Sequence, residues 1–215
     1  MEFRSWGKTP RLFRDIVITE KIDGSNSAII FEDVTLLDVD LVPSDELIVR
    51  GAYLYRVGAQ SKNRLITPGK TTDNYGFASF VYANKEELFD LLGPGYHFGE
   101  WWGEGIQKRY GDHVKSLRYF SLFNTAKHKE TEAFFKDEAG RVVTVESVPV
   151  LYEGEFSEQA IQDVLRDLNE YGSVAAPFHP NPEGIVVYHT QSKQVYKVTR
   201  DNNDKGKWET DADVE

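Results

Sequence analysis

Thr19-Glu20-Lys21-Ile22-Asp23-Gly24-Ser25-Asn26-Ser27 is the stretch on which the reading of this chain turns. It begins as the β-like run Ile16-Val17-Ile18 ends, and it leads into another at 27–31. Asp-Gly between two apolar runs is a turn signal, with Gly24 free to take φ > 0, so the segment reads as strand, turn, strand. Lys21 then stands at the end of the first strand. It is either a solvated side chain beside a turn or a covalent nucleophile, and the rest of the chain bears on which.

Short runs rich in Val, Ile, Tyr and Phe, mostly bounded by Gly, Pro, Asp or Asn, recur at 15–19, 27–31, 46–50, 118–123, 141–145, 184–188 and 194–198. Two helices are expected. Asn84 caps the first, with Glu87 at its third position and Leu88, Leu91 and Leu92 turned inward. Ser157 caps the second, in which Ile161, Val164, Leu165 and Leu168 follow the spacing of one helix face, and Gly172 is its stop. Many strands, few helices and no βαβ alternation predict an α+β fold of antiparallel sheets with flanking helices. A chain of 215 residues, 40% of them hydrophobic, suffices for a single domain over 1–215 with one sizeable core.

The chain has no Cys, which excludes disulfides, Cys-ligated zinc and thiol chemistry. No run approaches the roughly 20 apolar residues of a membrane span, and the N-terminus has no signal-like apolar core, so a cytoplasmic protein without membrane contact is expected. A net charge of −10 argues against wholesale nucleic-acid binding but leaves room for a local basic cleft. Basic residues gather at Lys62/Arg64, at Lys108/Arg109 and at Lys193/Lys197/Arg200; acidic ones at 32–46, 153–167 and 211–215 read as solubility faces.

Four further motifs carry polar residues in suggestive places. In Phe98-Gly99-Glu100-Trp101-Trp102-Gly103, a carboxylate lies among glycines and tryptophans; it marks either an aromatic core corner or a binding site. In Tyr119-Phe120-Ser121-Leu122-Phe123-Asn124, alternation puts Tyr119, Ser121 and Phe123 on one face, which is an ordinary strand or an aromatic surface for a base. Pro182-Glu183-Gly184-Ile185-Val186-Val187-Tyr188 starts a strand with an acid that is either part of a turn or a hard oxygen ligand for a divalent cation. Lys197, in Val195-Tyr196-Lys197-Val198-Thr199, is either an edge-strand lysine or a cation returned near Glu183 by a hairpin.

Taken in this order, the motifs resemble those of the covalent nucleotidyltransferase superfamily of polynucleotide ligases and RNA capping enzymes. The resemblance runs from Thr19 to about Thr199 and is strongest to ATP-dependent RNA ligases of the small bacteriophage type. Lys21 through Asn26, Ala59-Gln60-Ser61-Lys62-Asn63-Arg64 and Trp102-Gly103-Glu104-Gly105-Ile106-Gln107 lean that way. It implies an ATP-grasp-like catalytic domain and three steps: AMP transfer from ATP to Lys21, transfer of AMP to an RNA 5′-phosphate, and sealing by a 3′-OH. The remaining 16 residues after Thr199 are too few for an appended OB-fold, and a monomer is expected.

The same resemblance implies the roles. Lys21 is the nucleophile, Glu183 the main ligand of Mg²⁺ or Mn²⁺ with Asp23 beside it, and Lys197 the cation at the phosphates. Glu100 would bind the ribose and Phe123, rather than Phe120, would stack on adenine. Arg64, with Lys62, would reach the AMP ribose or the RNA phosphate. Asn26 would orient the nucleotide or the 3′-OH, and Glu20 and Ile22 flank the nucleophile, Glu20 meeting adenine through its backbone. A nucleophilic lysine must be neutral, whereas only roughly one free lysine in a thousand is neutral near pH 7.4. Positive charge near the phosphoryl oxygens is the other requirement. One departure stands out: the family's last motif reads Lys-x-Lys, and here it is Lys197-Val198-Thr199. Lys193, Lys205 and Lys207 are the candidates to replace the second lysine. A DNA nick ligase, an adenylyltransferase that stops before sealing, and a binding module without catalysis are the alternatives.

Overall fold

In Asp15–Lys21 (β1), Ile16 and Ile18 are fully buried and Glu20 lies on the same face, as alternation along a strand requires. The computed structural model describes residues 2–37, 41–177 and 179–199, with only the backbone of 108 and 109. Arg200, Lys205, Lys207 and the acidic run 211–215 lie outside the described residues, as do the side chains of Lys108 and Arg109. Contacts divide the chain into two compact units, Met1–Lys21 with Pro149–Glu215, and Ile22–Val148.

The first unit holds β1, Val150–Glu155 (β10), Gly184–His189 (β11) and Gln194–Thr199 (β12), all antiparallel, in the order β10-β1-β11-β12. Glu158–Tyr171 (α5) packs Leu165 and Leu168 on Ile16, Ile18, Ile185 and Val187. Ser157 accepts a hydrogen bond from the Ala160 amide, and Gly172 at φ +84° ends the helix, as the sequence indicates. Lys21 and Lys197 both belong to the sheet face turned away from this core.

The second unit holds an eight-stranded sheet in the order β3-β4-β2-β6-β7-β9-β8, with Leu65–Ile66 (β5) paired to β4. Its strands are Ser25–Asp33 (β2), Leu47–Arg50 (β3), Tyr53–Ser61 (β4), Gly95–Gly103 (β6), Leu117–Leu122 (β7), Glu132–Lys136 (β8) and Val142–Ser147 (β9). Phe77–Ala83 (α1) and Lys85–Leu92 (α2) contribute Phe77, Phe80, Leu88 and Leu92 to the core. There Trp101 stacks on Phe80 at 5.3 Å and leans on Phe77 at 5.4 Å between centroids. Lys108–Gly111 (α3) and Thr125–His128 (α4) are single turns.

Two expectations need correction. The sheets are not wholly antiparallel, because β7 and β9 run parallel with α4 and β8 forming the crossover between them. Asn84 precedes α2 but makes no side-chain cap; its amide instead donates to the Phe80 carbonyl at 2.8 Å. The Glu100 motif lies within the central strand β6, with Trp101 and Trp102 fully buried.

His97 of β6 is buried, and its Nε2 donates to the Gly93 carbonyl at 2.9 Å. Burial pushes its pKa down to about 4, helped by Lys127 and His128 and opposed by that hydrogen bond. The unfolded chain therefore holds a proton that the folded chain does not, between about pH 4 and the ordinary histidine pKa near 6.5. Stability is full above that ordinary value and is lost as pH falls toward about 4, by up to about 3 kcal/mol. Urea unfolding at pH 7 and pH 5 should register a loss of about 2 kcal/mol that His97→Gln abolishes. An unchanged pH slope in that variant would assign the loss to other groups.

Candidate active site

The first unit places Lys21 at the end of β1, where its Nζ lies 2.6 Å from Glu183 Oε2. Both side chains are about three-quarters buried, at 24% and 21% exposed. The contact follows from the sheet register. Lys21 sits across from Gly184, so the residue before Gly184 falls beside the lysine. Gly184 has φ +149°, and a Cβ there would stand 2.1 Å from the Val198 carbonyl oxygen, so only glycine fits between β1 and β12. On the next strand, Gly184 faces Thr199, and Lys197 faces Val186 one row away.

Thr199 thus occupies the row of Lys21 and Gly184, where the resemblance would put a second lysine. Lys193 does not stand in for it. It lies in the β11–β12 turn at φ +56°, at the other end of β12, about 20 Å along the strand from Thr199.

Glu20 points to the opposite face and is 2% exposed. Its carboxylate accepts from Ser173 Oγ at 2.5 Å and from the amides of Val174 and Ala175 at 2.8 and 2.9 Å. Ser173 Oγ in turn accepts from the Ala176 amide. The Glu20 side chain therefore fastens the turn after α5. No spacing in the sequence signals this bond, which links residues 153 apart.

In the second unit, Glu100 lies directly across from Asn26, and both are partly exposed on one face of the sheet. Glu100 Oε1 accepts from the Gly24 amide at 3.1 Å. A Cβ on Gly24 would meet the Trp101 carbonyl at 2.6 Å and Trp102 Cβ at 2.7 Å, so this glycine lets the turn lie against β6. Asn74 adds a bond that the sequence does not signal, donating from Nδ2 to Ser25 Oγ at 2.6 Å beside Asn26.

Phe120 is fully buried, 5.1 Å from the Phe77 ring, whereas Phe123 is 42% exposed just beyond β7. Ile22 is 5% exposed and belongs to the core, while Asp23 is half-buried in the turn between β1 and β2. Arg64 and Lys62 are exposed in the tight connection of β4 to β5, and Arg64 Nη1 donates to the Thr72 carbonyl at 3.2 Å.

Among the described residues, no three His, Asp or Glu side chains cluster as a ready metal cage. A single carboxylate such as Glu183 still fits Mg²⁺ or Mn²⁺, which keep waters and bind largely through substrate phosphates. Among the described residues no helix is long and apolar enough to cross a membrane.

A family model for RNA ligase matches residues 14–199. The fold is similar to that of the Naegleria gruberi RNA ligase. The match to a variant solved with ATP and Mn has TM-score 0.51, 19% identity and coverage of 87% of this chain and 50% of that one. A second variant, with AMP and Mn, gives 0.51, 18%, 87% and 50%; the form with pyrophosphate gives 0.50, 17%, 86% and 49%. The chain spans about half the length of these structures. No curated protein matches the sequence.

Proposed function

The chain belongs to the RNA ligase family, and from that premise we propose that it joins RNA ends at the expense of ATP through an adenylate on Lys21. The observation that carries this reading is the lysine at the end of β1, held 2.6 Å from Glu183 within the span matched by the family model. Both units serve one ATP-grasp-like nucleotidyltransferase domain, since that span runs across both.

In the first step Lys21 Nζ attacks the α-phosphorus of ATP. The bond to the bridging α–β oxygen breaks, pyrophosphate leaves and a phosphoramidate forms. A 5′-phosphate oxygen of RNA then attacks the same phosphorus, returning the lysine amine. Finally a 3′-hydroxyl attacks the RNA 5′-phosphorus, and AMP leaves.

An ammonium paired with a carboxylate has no lone pair to give, so Lys21 must lose its proton and loosen from Glu183. A divalent cation on Glu183, with Asp23 as the accessory carboxylate, would neutralise charge on the phosphates. Lys197 supplies fixed positive charge from the same sheet face as Lys21. Glu100 and Asn26, cross-strand neighbours, take the ribose and orient the nucleotide. The exposed Phe123 ring stacks on adenine, Arg64 meets a phosphate or the ribose, and the Glu20 and Ile22 backbones border the base.

Glu183→Ala should raise the divalent concentration needed for adenylylation steeply; an unchanged Mg²⁺ titration would remove Glu183 from the metal's surroundings. Phe123→Ala should weaken ATP binding by about 1–3 kcal/mol, as loss of base stacking does. Phe120→Ala should instead destabilise the fold by about 3–5 kcal/mol, because that ring is core. Equal ATP affinities in Phe123→Ala and wild type would remove Phe123 from the adenine site.

The hydroxyl of Thr199 in the row of Lys21 favours a second reading, in which the chain activates RNA 5′ ends and seals them poorly. Incubating 5′-phosphorylated RNA with ATP and Mg²⁺ or Mn²⁺ separates the two. Joined RNA is the expected product. Accumulation of 5′-adenylylated RNA alone would support the second reading, and unmodified RNA would contradict both.

A further inference from the structure

Tyr96 and Phe98 are two large aromatic side chains left exposed on a central strand. They are 61% and 45% exposed although β6 is paired on both sides, with β2 and β7. Being two residues apart, they share a face, and that face is also the face of Glu100. Their rings stack at 6.0 Å between centroids with 17° between planes. On β2 they stand across from Ile30 and Ala28, so their inner surfaces cover apolar side chains while the outer surfaces meet solvent. A third exposed ring adjoins them, since the Phe123 amide donates to the Phe98 carbonyl at 2.9 Å.

The surroundings supply positive charge in a chain whose net charge is −10. Lys127 is exposed on α4, and its amide is held by Asn124 Oδ1 at 3.1 Å. The turn α4 begins two residues after Phe123, the residue bonded to Phe98, so Lys127 lies about one helical turn along the chain from these rings. An exposed aromatic stack beside a cation is how proteins hold single-stranded nucleic acid: the rings take a base and the lysine takes a phosphate. A protein partner is less suited to this surface, because these rings lie parallel and open beside a cation rather than lining an apolar groove.

We propose that Tyr96 and Phe98, with Lys127 beside them, form a stacking platform for an unpaired base of the RNA to be joined. The inference rests on the RNA ligase reading for the identity of the strand. Along β6 the platform leads toward Glu100, about 13 Å from Tyr96 in an extended strand. An RNA end bound there would thus be delivered along the strand that carries the proposed ribose ligand.

The test uses the full chain and a short single-stranded RNA with a 5′-hydroxyl, which cannot be adenylylated, carrying a fluorescent base. The variants are Tyr96→Thr/Phe98→Thr, which keeps strand propensity, and Lys127→Ala. The double variant should lose roughly 5- to 150-fold in RNA affinity, the range carried by one stacked base. It should also lose the quenching of the fluorescent base, yet take adenylate from ATP as wild type does. Lys127→Ala should bind more weakly and lower the slope of log affinity against log salt by about 0.7. Unchanged RNA affinity in the double variant would overturn the platform, as would a wild type that is adenylylated but binds no RNA. Loss of adenylylation in the double variant would also overturn it, placing the rings at adenine. A wild type that takes no adenylate but binds RNA through these rings would refute the Lys21 reading and leave the platform standing.

Discussion

Lys21→Ala should abolish covalent labelling by α-labelled ATP while leaving the fold intact. Wild type should run as a labelled band of 24.6 kDa on a denaturing gel, and the variant as none. The effect is total because no neighbouring group can replace the amine as the atom that bonds phosphorus. The fold should survive because Lys21 lies at a strand end, 24% exposed, on the face away from the core of its unit. Its contact with Glu183 is about three-quarters buried, so breaking it costs some stability but leaves the apolar core of the unit untouched. Lys21→Arg makes the sharper control: it keeps the positive charge beside Glu183 and lacks a readily deprotonated amine, so it too should remain unlabelled. Normal labelling of Lys21→Ala would remove Lys21 as the nucleophile.

The second large effect is on stability. Glu20→Ala should destabilise the protein by about 3 kcal/mol, because it strands the amides of Val174 and Ala175 and the Ser173 hydroxyl. Hydrogen exchange should speed up at Val174 and Ala175 before it does in β1. Ser173→Ala should cost about 2 kcal/mol, since it removes the bond to Glu20 and strands the Ala176 amide while the amides of Val174 and Ala175 stay held. A Glu20 side chain that recognised adenine would behave otherwise, with ATP affinity lost and urea unfolding unchanged. That pattern would contradict the structural role of this carboxylate, though not a contact made by its backbone.

Both outcomes turn on residues adjacent in sequence, and they illustrate how much of the fold the sequence discloses. Alternation in 15–21 reveals a strand, and it also sends Lys21 and Glu20 to opposite faces. What alternation does not reveal is the partner of each. Ser173 lies 153 residues from Glu20, and nothing local marks the pairing. The capped helix at 158–171 is legible because Ser157 and Gly172 carry their chemistry locally.

Gly95–Gly103 is harder to read as a strand. Its glycines resemble punctuation, yet Gly99 is there because a Cβ would strike the Ser121 carbonyl at 2.6 Å. Tyr53–Ser61 is likewise interrupted by a glycine, Gly58, where a Cβ would make only ordinary contact with Ile30. Phe77–Ala83 is apolar nearly throughout, so it lacks the polar face by which a helix shows its period. At the candidate site, the residue types and their order are plain in the sequence. The Lys21–Glu183 contact, the Asn26–Glu100 pairing and the Asn74–Ser25 bond are products of sheet register and loop packing, which no single segment encodes.

Intact mass measurement and peptide mapping of the wild-type chain, after incubation with ATP and Mg²⁺ or Mn²⁺, decide whether Lys21 carries an adenylate. The expected result is a gain of one adenylyl group per chain, carried by the peptide containing Lys21 and discharged by added pyrophosphate. No gain in mass under either metal, or an adenylyl group on a peptide without Lys21, would contradict it.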